Sequence, residues 1–542
     1  MVTTASGRPR IFLSSLVGYR RSWVPNDVVA GLTAGAVVVP QAMAYATIAK
    51  LPVEVGLYTC IVPMLVYALL GGSRAMSVST TSTVATLTAT TLVTAGVVNE
   101  VEDQLASLVT LSLLVGGILL VARLLHLGGI VENISVATIL GVKIGVGGTV
   151  LISQLPTLLG EDAVPVAEGF IHSLGAAIGA LESVNSATVA LSIASILVML
   201  MMKRFTPRVP GTIVVATAGI LLVWLTNIDA LGIAVIDPVP SGLPVPVLPD
   251  FTHLVELIPG ALAISVMVFL ESATVARSLR NPHEAPIDAD QELLAIGAAN
   301  AVGGFFATLP AAGGLSQSAV NQGAGARSQL AALITVTFAI LVALFLGPVL
   351  SMLPQAVLAS MVVVAVATLI DVPLLVRWSR ISPIDFWVAL VVAMLGLTAG
   401  LLFAVAAGVV ITLILVLREL NTPSVEEMGR RENVLILHIA RGLYTANVRA
   451  NAEAILDLVH TAPGAVDILI LDVKRVEIMT MTVLDTLAAL DSELAARGVV
   501  LHLAGLPERA VGVAAKTGWF QKLASEGRTH ADVEAGPSSA AR

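Results

Sequence analysis

Glu271 is the residue that most needs a chemical reason. It lies inside the apolar run from Leu257 to Leu279, where a carboxylate is costly unless it faces a cavity, finds a partner or carries a proton. Arg277, six residues on, projects about 240° round a helix from it and is not its local partner. A carboxyl group whose surroundings change takes up H+ in one state and releases it in another. The plainer reading is a hydrogen-bonded packing carboxylate near a helix end. Lys143 is equally out of place, midway along VATILGVKIGVGGTVLISQ, an expensive setting for an ammonium.

Two polar stretches stand out beside these charges: SVSTTSTVATL from Ser77 and GGLSQSAVN from Gly313. Inside hydrocarbon, open backbone is tolerated only where protein buries it or a wet cavity solvates it. A helix that begins there aims free N–H groups and the positive end of its dipole at that cavity. Ser77, Ser79, Thr80 and Thr81 would begin one such half-helix, and Leu315, Ser316, Gln317 and Ser318 the other. If the two starts meet, they form an anion site. The competing reading is that the small residues merely let helices pack closely. Gln41 follows Pro40, where proline frees a carbonyl and the neighbouring amide can either donate to an anion or mend the gap.

The elements that would position these residues are membrane helices. The chain is 56% hydrophobic and 12% charged, with a mean hydropathy of +0.92, more apolar surface than one soluble core can hide. A pI near 5.5 gives no basic surface for nucleic acid. The single cysteine, Cys60, excludes an intrachain disulfide framework, and the N-terminus carries no signal-peptide pattern. Apolar runs near 28–49, 55–71, 81–97, 105–125, 131–155, 187–202 and 211–226 predict seven helices, with 165–182 an interfacial candidate. A second set follows near 255–279, 291–308, 315–323, 328–350, 355–370, 384–397 and 399–417.

Charge predicts the topology. With the N-terminus inside, Arg8, Arg10, Arg20, Arg21, Arg74, Arg123, Lys203, Arg204 and Arg208 fall on the cytoplasmic side, as do Arg277, Arg280, Arg327, Arg377, Arg380 and Arg418. The Pro-rich loop from Asn227 to Asp250, without Lys or Arg, falls outside, and Lys50 is the one basic residue at an external end. Two sets of seven beginning on opposite sides make an inverted repeat, in which the polar stretches occupy matching third positions. The expected organisation is a cytoplasmic segment 1–25 and a transmembrane domain 26–420, with repeats about 26–227 and 251–420. Beyond it, VLILHIA, NAEAILDLV, DILILDV, VLDTLAALDSELAARG and VVLHLAG alternate strand and helix patterns, predicting a small cytoplasmic α/β domain at 430–530. A disordered tail is expected at 531–542.

The chain resembles the SulP family of anion permeases. The resemblance rests on DVVAGLTAGAVVVPQAMAYATIAKLP from Asp27, GLYTCIVPMLVYALLGGSR from Gly56, FLESATVARSL from Phe269, DADQELLAIGAAN from Asp288 and GGLSQSAVNQGAGARSQL from Gly313. The tail resembles the STAS domain that ends such permeases. The resemblance implies core and gate domains, an anion held between the third and tenth helix starts, a first helix lining the site with Gln41 and Tyr45, a proton-coupling role for Glu271, an elevator-like motion, and dimers in the cell membrane. It implies sulfate as the default substrate, carried by proton symport, with bicarbonate, a C4-dicarboxylate, or an uncoupled exchanger or channel as alternatives. Many members begin the tenth helix Ser-Arg-Ser; here it reads Ser316-Gln317-Ser318. Lys143 would then supply the missing charge or pair with Glu271, against the alternatives of snorkelling or pairing elsewhere.

The remaining chemistry is sparse. Asp288, Asp290 and Glu292 are expected to cap the ninth helix, and too few ligands lie at that spacing for a metal. His126, His253 and His283 are scattered at helix ends. No nucleophile–base pattern or P-loop appears, so neither an enzyme nor an ATP-driven pump is expected, and no cofactor. In the tail, Met481 stands where the phosphorylatable serine of a STAS domain would align and Val483 where glycine is usual. Thr480 and Thr482 remain acceptors, with a helix-cap role expected. A regulatory partner at that domain is the remaining interaction.

Overall fold

The computed structural model describes residues 12–16, 18–97, 101–131, 135–161, 169–206, 210–226, 231–280, 284, 286–367, 370–476 and 479–534. His283 lies outside the described residues, as do Arg8, Arg10 and Arg208. The chain divides into two compact units, Met1–Val410 and Ile411–Arg542.

In chain order the first half contains α1 (Val24–Ile48), α2 (Val53–Thr59), α3 (Val62–Leu70), β1 (Val78–Ser79), α4 (Ser82–Thr94), α5 (Val101–Leu124), α6 (Gly128–Val131), α7 (Val136–Ser153), α8 (Leu155–Leu159), α9 (Gly169–Gly179), α10 (Ser186–Phe205) and α11 (Gly211–Leu225). The second contains α12 (Leu254–Ser278), α13 (Ala289–Gly304), β2 (Ala312–Gly313), α14 (Leu315–Gly323), α15 (Leu330–Phe345), α16 (Gly347–Leu350), α17 (Gln355–Ala367), α18 (Val372–Ile381), α19 (Pro383–Thr398) and α20 (Leu401–Asn421). Eight helices among the described residues are long and apolar enough to cross a membrane. The expected helix 55–71 is broken into α2 and α3 at Cys60–Ile61, ahead of Pro63 in the first turn of α3, since proline cannot donate into a continuing helix.

The packing obeys the repeat. α1 packs on α15, and its counterpart α12 packs on α5; α1 also packs on α14, as α12 does on α4. α7 lies against α19, matched by α17 against α10. The two third elements start with β1 and β2, which pair antiparallel, Val78 with Gly313 and Ser79 with Ala312. Exchanging the halves maps that register onto itself, so the pair sits on the pseudo-twofold axis. Helices α1–α5 and α12–α15 form a core, while α7–α11 and α17–α19 form a gate. The seam between them is made by α1 and α4 against α7, α11 and α17.

The second unit is a five-stranded sheet in sequence order: β3 (Val425–Arg431), β4 (Val434–Ile439), β5 (Ile468–Asp472), β6 (Val500–Ala504) and β7 (Thr529–His530). β3 is antiparallel to β4 and the rest are parallel. Alternation puts Leu435, Leu437, Leu469, Leu471, Leu501 and Leu503 in one core with helices α21 (Val448–Thr461), α22 (Met481–Ala496), α23 (Glu508–Ala514) and α24 (Gly518–Ser525). β3 went unread in the sequence because VEEMGRR is a polar edge strand with no apolar alternation. Val533 packs beside Ile436, Ile470 and Ala504, and residues 535–542 lie outside the described residues.

Candidate functional site

The short β1–β2 ladder brings two helix starts together. Thr81 caps α4, its Oγ1 accepting from Val84 N at 3.3 Å, while Gly314 precedes α14 without a side-chain cap. The N–H groups of Ser82 and Thr83, and of Leu315, Ser316 and Gln317, make no hydrogen bond with any described residue. Both helix dipoles therefore present their positive ends to one place, and unpaired N–H groups at a helix N-terminus are an anion-binding arrangement. Gly313 and Gly314 allow the approach: a Cβ on Gly313 would collide with Met76 Sδ, and one on Gly314 would lie 2.8 Å from Gln317 Oε1.

The side chains named from sequence fall into two groups. Ser79 Oγ donates to Gln317 Oε1 at 2.7 Å, Gln317 Nε2 reaches Thr80 O at 3.4 Å, and Ser77 N donates to Ser318 Oγ at 2.9 Å. Ser79, Thr80, Gln317 and Ser318 are all buried, so these residues lace the two half-helices together. Leu315 is 57% exposed, and Ser316 is exposed next to it, marking the open side.

The second group joins α1, α4 and α12. Thr81 Oγ1 donates to Glu271 Oε2 at 2.9 Å. Gln41 Nε2 donates to Tyr45 Oη at 2.6 Å, across the four-residue spacing that puts both on one helix face. Tyr45 also interacts with Ser82 and with the Glu271 carboxylate. Gln41 Oε1 and Thr80 Oγ1 are buried with no hydrogen-bond partner, the condition of polar atoms that a bound ligand or water must satisfy. Lys143 is not part of this cluster. It makes no ion pair with Glu271, whose hydrogen bond goes to Thr81 instead, and it forms no ion pair with any other described residue.

The stretches that carried the resemblance turn out to be hydrogen-bonded to one another. Asp27, fully buried, accepts from Arg327 N and Ser328 N at 2.6 and 3.2 Å and from Ser328 Oγ at 2.8 Å. Gln329 donates to Ser73 O and Met76 O. Asn300 exchanges two bonds with Ala311, and Ser272 Oγ accepts from Gly313 N at 2.9 Å, which fixes β2. Asp288 caps α13 as expected and Asp290 faces Arg123 at 3.6 Å. Glu292 departs from its expected capping role. It is buried and accepts from Tyr67 Oη at 2.9 Å and Gly72 N at 3.0 Å, tying α13 to α3. Ser272 and Asn300 escaped sequence reading although both lie in the quoted stretches, beside Glu271 and at the end of GAAN.

A model of the sulfate permease family matches residues 24–392, and one of the STAS domain matches 427–535. The chain belongs to the sulfate permease family. Its members are transporters, not enzymes, and this member is a multi-pass membrane protein with a C-terminal STAS domain. It is similar to a probable sulfate transporter of Mycobacterium tuberculosis, 31% identical over 508 residues and covering 90% of each chain. It is also similar to the chloroplastic sulfate transporter 4.1 of Arabidopsis thaliana, 31% identical over 418 residues, 74% of this chain and 60% of that one. In fold it matches murine Slc26a9 in an inward-facing state, with a TM-score of 0.85, 22% identity, and 97% and 93% of the two chains covered. The transmembrane domain of the cyanobacterial bicarbonate transporter BicA matches with a TM-score of 0.61 at 21% identity, over 73% of this chain and 97% of that one.

In the STAS domain Thr480 caps α22, accepting from Val483 N at 3.4 Å, and its hydroxyl lies 3.2 Å from that of Thr445.

Proposed function

We propose that this permease carries sulfate across the cell membrane by proton-coupled symport, with both termini and the STAS domain on the cytoplasmic side. The anion is held between the N-termini of α4 and α14, and the core shifts against the gate in an elevator-like movement. The working unit is a homodimer, with the STAS domain offered to a regulatory partner. The observation that supports the reading is the hydrogen bond from Thr81 to Glu271, which ties an acidic side chain to the residue that caps α4. Two unit charges about 7 Å apart repel by about 2 kcal/mol at an effective dielectric near 20. Protonating Glu271 removes that repulsion, so proton and anion favour each other's binding, which is what symport requires. Sulfate is named because the Mycobacterium tuberculosis relative is a probable sulfate transporter and the Arabidopsis thaliana relative a sulfate transporter.

A second reading, bicarbonate, is favoured by Gln317. With no arginine at this place, the site relies on helix dipoles and N–H groups, which suit a singly charged anion better than a divalent one. Proteoliposomes loaded at defined pH and offered radiolabelled sulfate, bicarbonate, chloride or fumarate separate the readings. Concentrative sulfate uptake that follows an imposed pH gradient, and loses that dependence in Glu271→Gln, is the expected result. Accumulation indifferent to the gradient removes proton coupling and leaves an exchanger or channel.

A further inference from the structure

A cavity of about 560 Å³ opens at the seam between core and gate. The core contributes Thr47, Lys50 and Glu54; the gate contributes Gln154, Thr157, Asp237 and Gln355. It lies at the end of α1 that charge distribution places outside, away from the cytoplasmic arginines. Lys50 is the one cationic residue lining it, and among the described residues it forms no ion pair. Its backbone is unusual, with φ at +52°. Lys50 N bonds to Thr47 O and Leu51 N to Ala46 O, both at 3.1 Å, which closes α1 with a Schellman motif whose left-handed position normally holds glycine. A lysine there costs backbone energy that glycine would not, so its ammonium needs a reason.

The gate side supplies one. Gln154 is only 4% exposed yet lines the cavity, and its amide makes no hydrogen bond with any described residue. Thr157, 7% exposed, has an Oγ1 without a partner. Unsatisfied polar groups buried beside a cavity call for a ligand or water within it. We infer that this cavity is an outer waiting site for the transported anion, with Lys50 as its cationic anchor and Gln154 and Thr157 as donors from the gate. The inference rests on the transport reading above. Glu54 and Asp237 share the cavity and oppose an anion, which makes the balance of three charges the determinant of capture and gives the carboxylates an effect opposite in sign to the lysine.

The test is radiolabelled sulfate uptake into right-side-out vesicles. Lys50→Gly relieves the backbone while deleting the charge, so the protein should keep or gain thermal stability while its KM for external sulfate rises about tenfold. Glu54→Gln and Asp237→Asn should lower KM. In Lys50→Cys, external aminoethyl methanethiosulfonate restores the positive charge and should restore KM, whereas the neutral methyl reagent should not; Cys60 is buried and gives little background. Unchanged KM in Lys50→Gly, or equal rescue by both reagents, overturns the outer site. Wild-type vesicles that take up no sulfate overturn the sulfate reading on which this site rests, a separable outcome.

Discussion

Two residues at the site differ sharply in what their types could reveal. Glu271 announced itself, since a carboxylate in an apolar run demands a partner, and the structure supplies Thr81. Gln317 did the reverse. Its identity suggested a lost charge, but its place shows a brace whose Oε1 accepts from Ser79 and whose Nε2 reaches the Thr80 carbonyl. Gln317→Arg should therefore have two effects. The guanidinium should lower the KM for sulfate by about tenfold, a gain of about 1.4 kcal/mol, through its charge. It also removes the shorter of the two hydrogen bonds that Ser79 Oγ donates, leaving only the Thr80 carbonyl at 3.3 Å, at a cost of about 1 kcal/mol in stability. Uptake against sulfate concentration and a thermal melt in detergent read the two separately, and a raised KM would reject the electrostatic account. Lys143 belongs to the same scale: its type demanded a partner, and no ion pair with Glu271 is formed.

The helices are held at distances set by glycine. Gly56 of α2 meets α1 so closely that a Cβ would collide with the Ala42 carbonyl, and backbone cannot move aside as a side chain can. Gly56→Ala should cost about 2 kcal/mol or more by forcing the helices apart, seen as a lower melting temperature in detergent; a neutral result would mean α1 yields. In the C-terminal sheet, His502 on β6 stacks on His530, with Nδ1 2.8 Å from Nε2. Burial first, then His530 and Arg528, hold its pKa down at about 4, against 6.5 for a free imidazole. The unfolded chain therefore binds a proton that the folded one refuses. The stability is present above pH 6.5 and is lost as pH falls from 6.5 toward 4. Hydrogen exchange of β6 in the full chain, corrected for intrinsic rate, should show protection falling across that window, and His502→Phe should flatten it.

Across the whole molecule, transport by an elevator requires the seam to slide. Thr47 on α1 and Gln355 on α17 line one seam cavity and neither is fully buried, so cysteines there, joined by a bifunctional maleimide, should abolish uptake, while single-cysteine controls treated alike keep it. Full uptake by the cross-linked protein would reject relative motion of core and gate. The sequence alone determined the membrane class, the positions of most helices, the two matching polar breaks and the alternating tail, because hydropathy and period are properties of single segments. It could not decide what those breaks do. Ser79 and Gln317 lie 238 residues apart, and only the pairing of β1 with β2 on the pseudo-twofold axis brings them within a hydrogen bond. Which polar side chains brace the site, which open onto it, and where Glu271 finds its partner are facts about packing between halves, and local sequence carries no term for that.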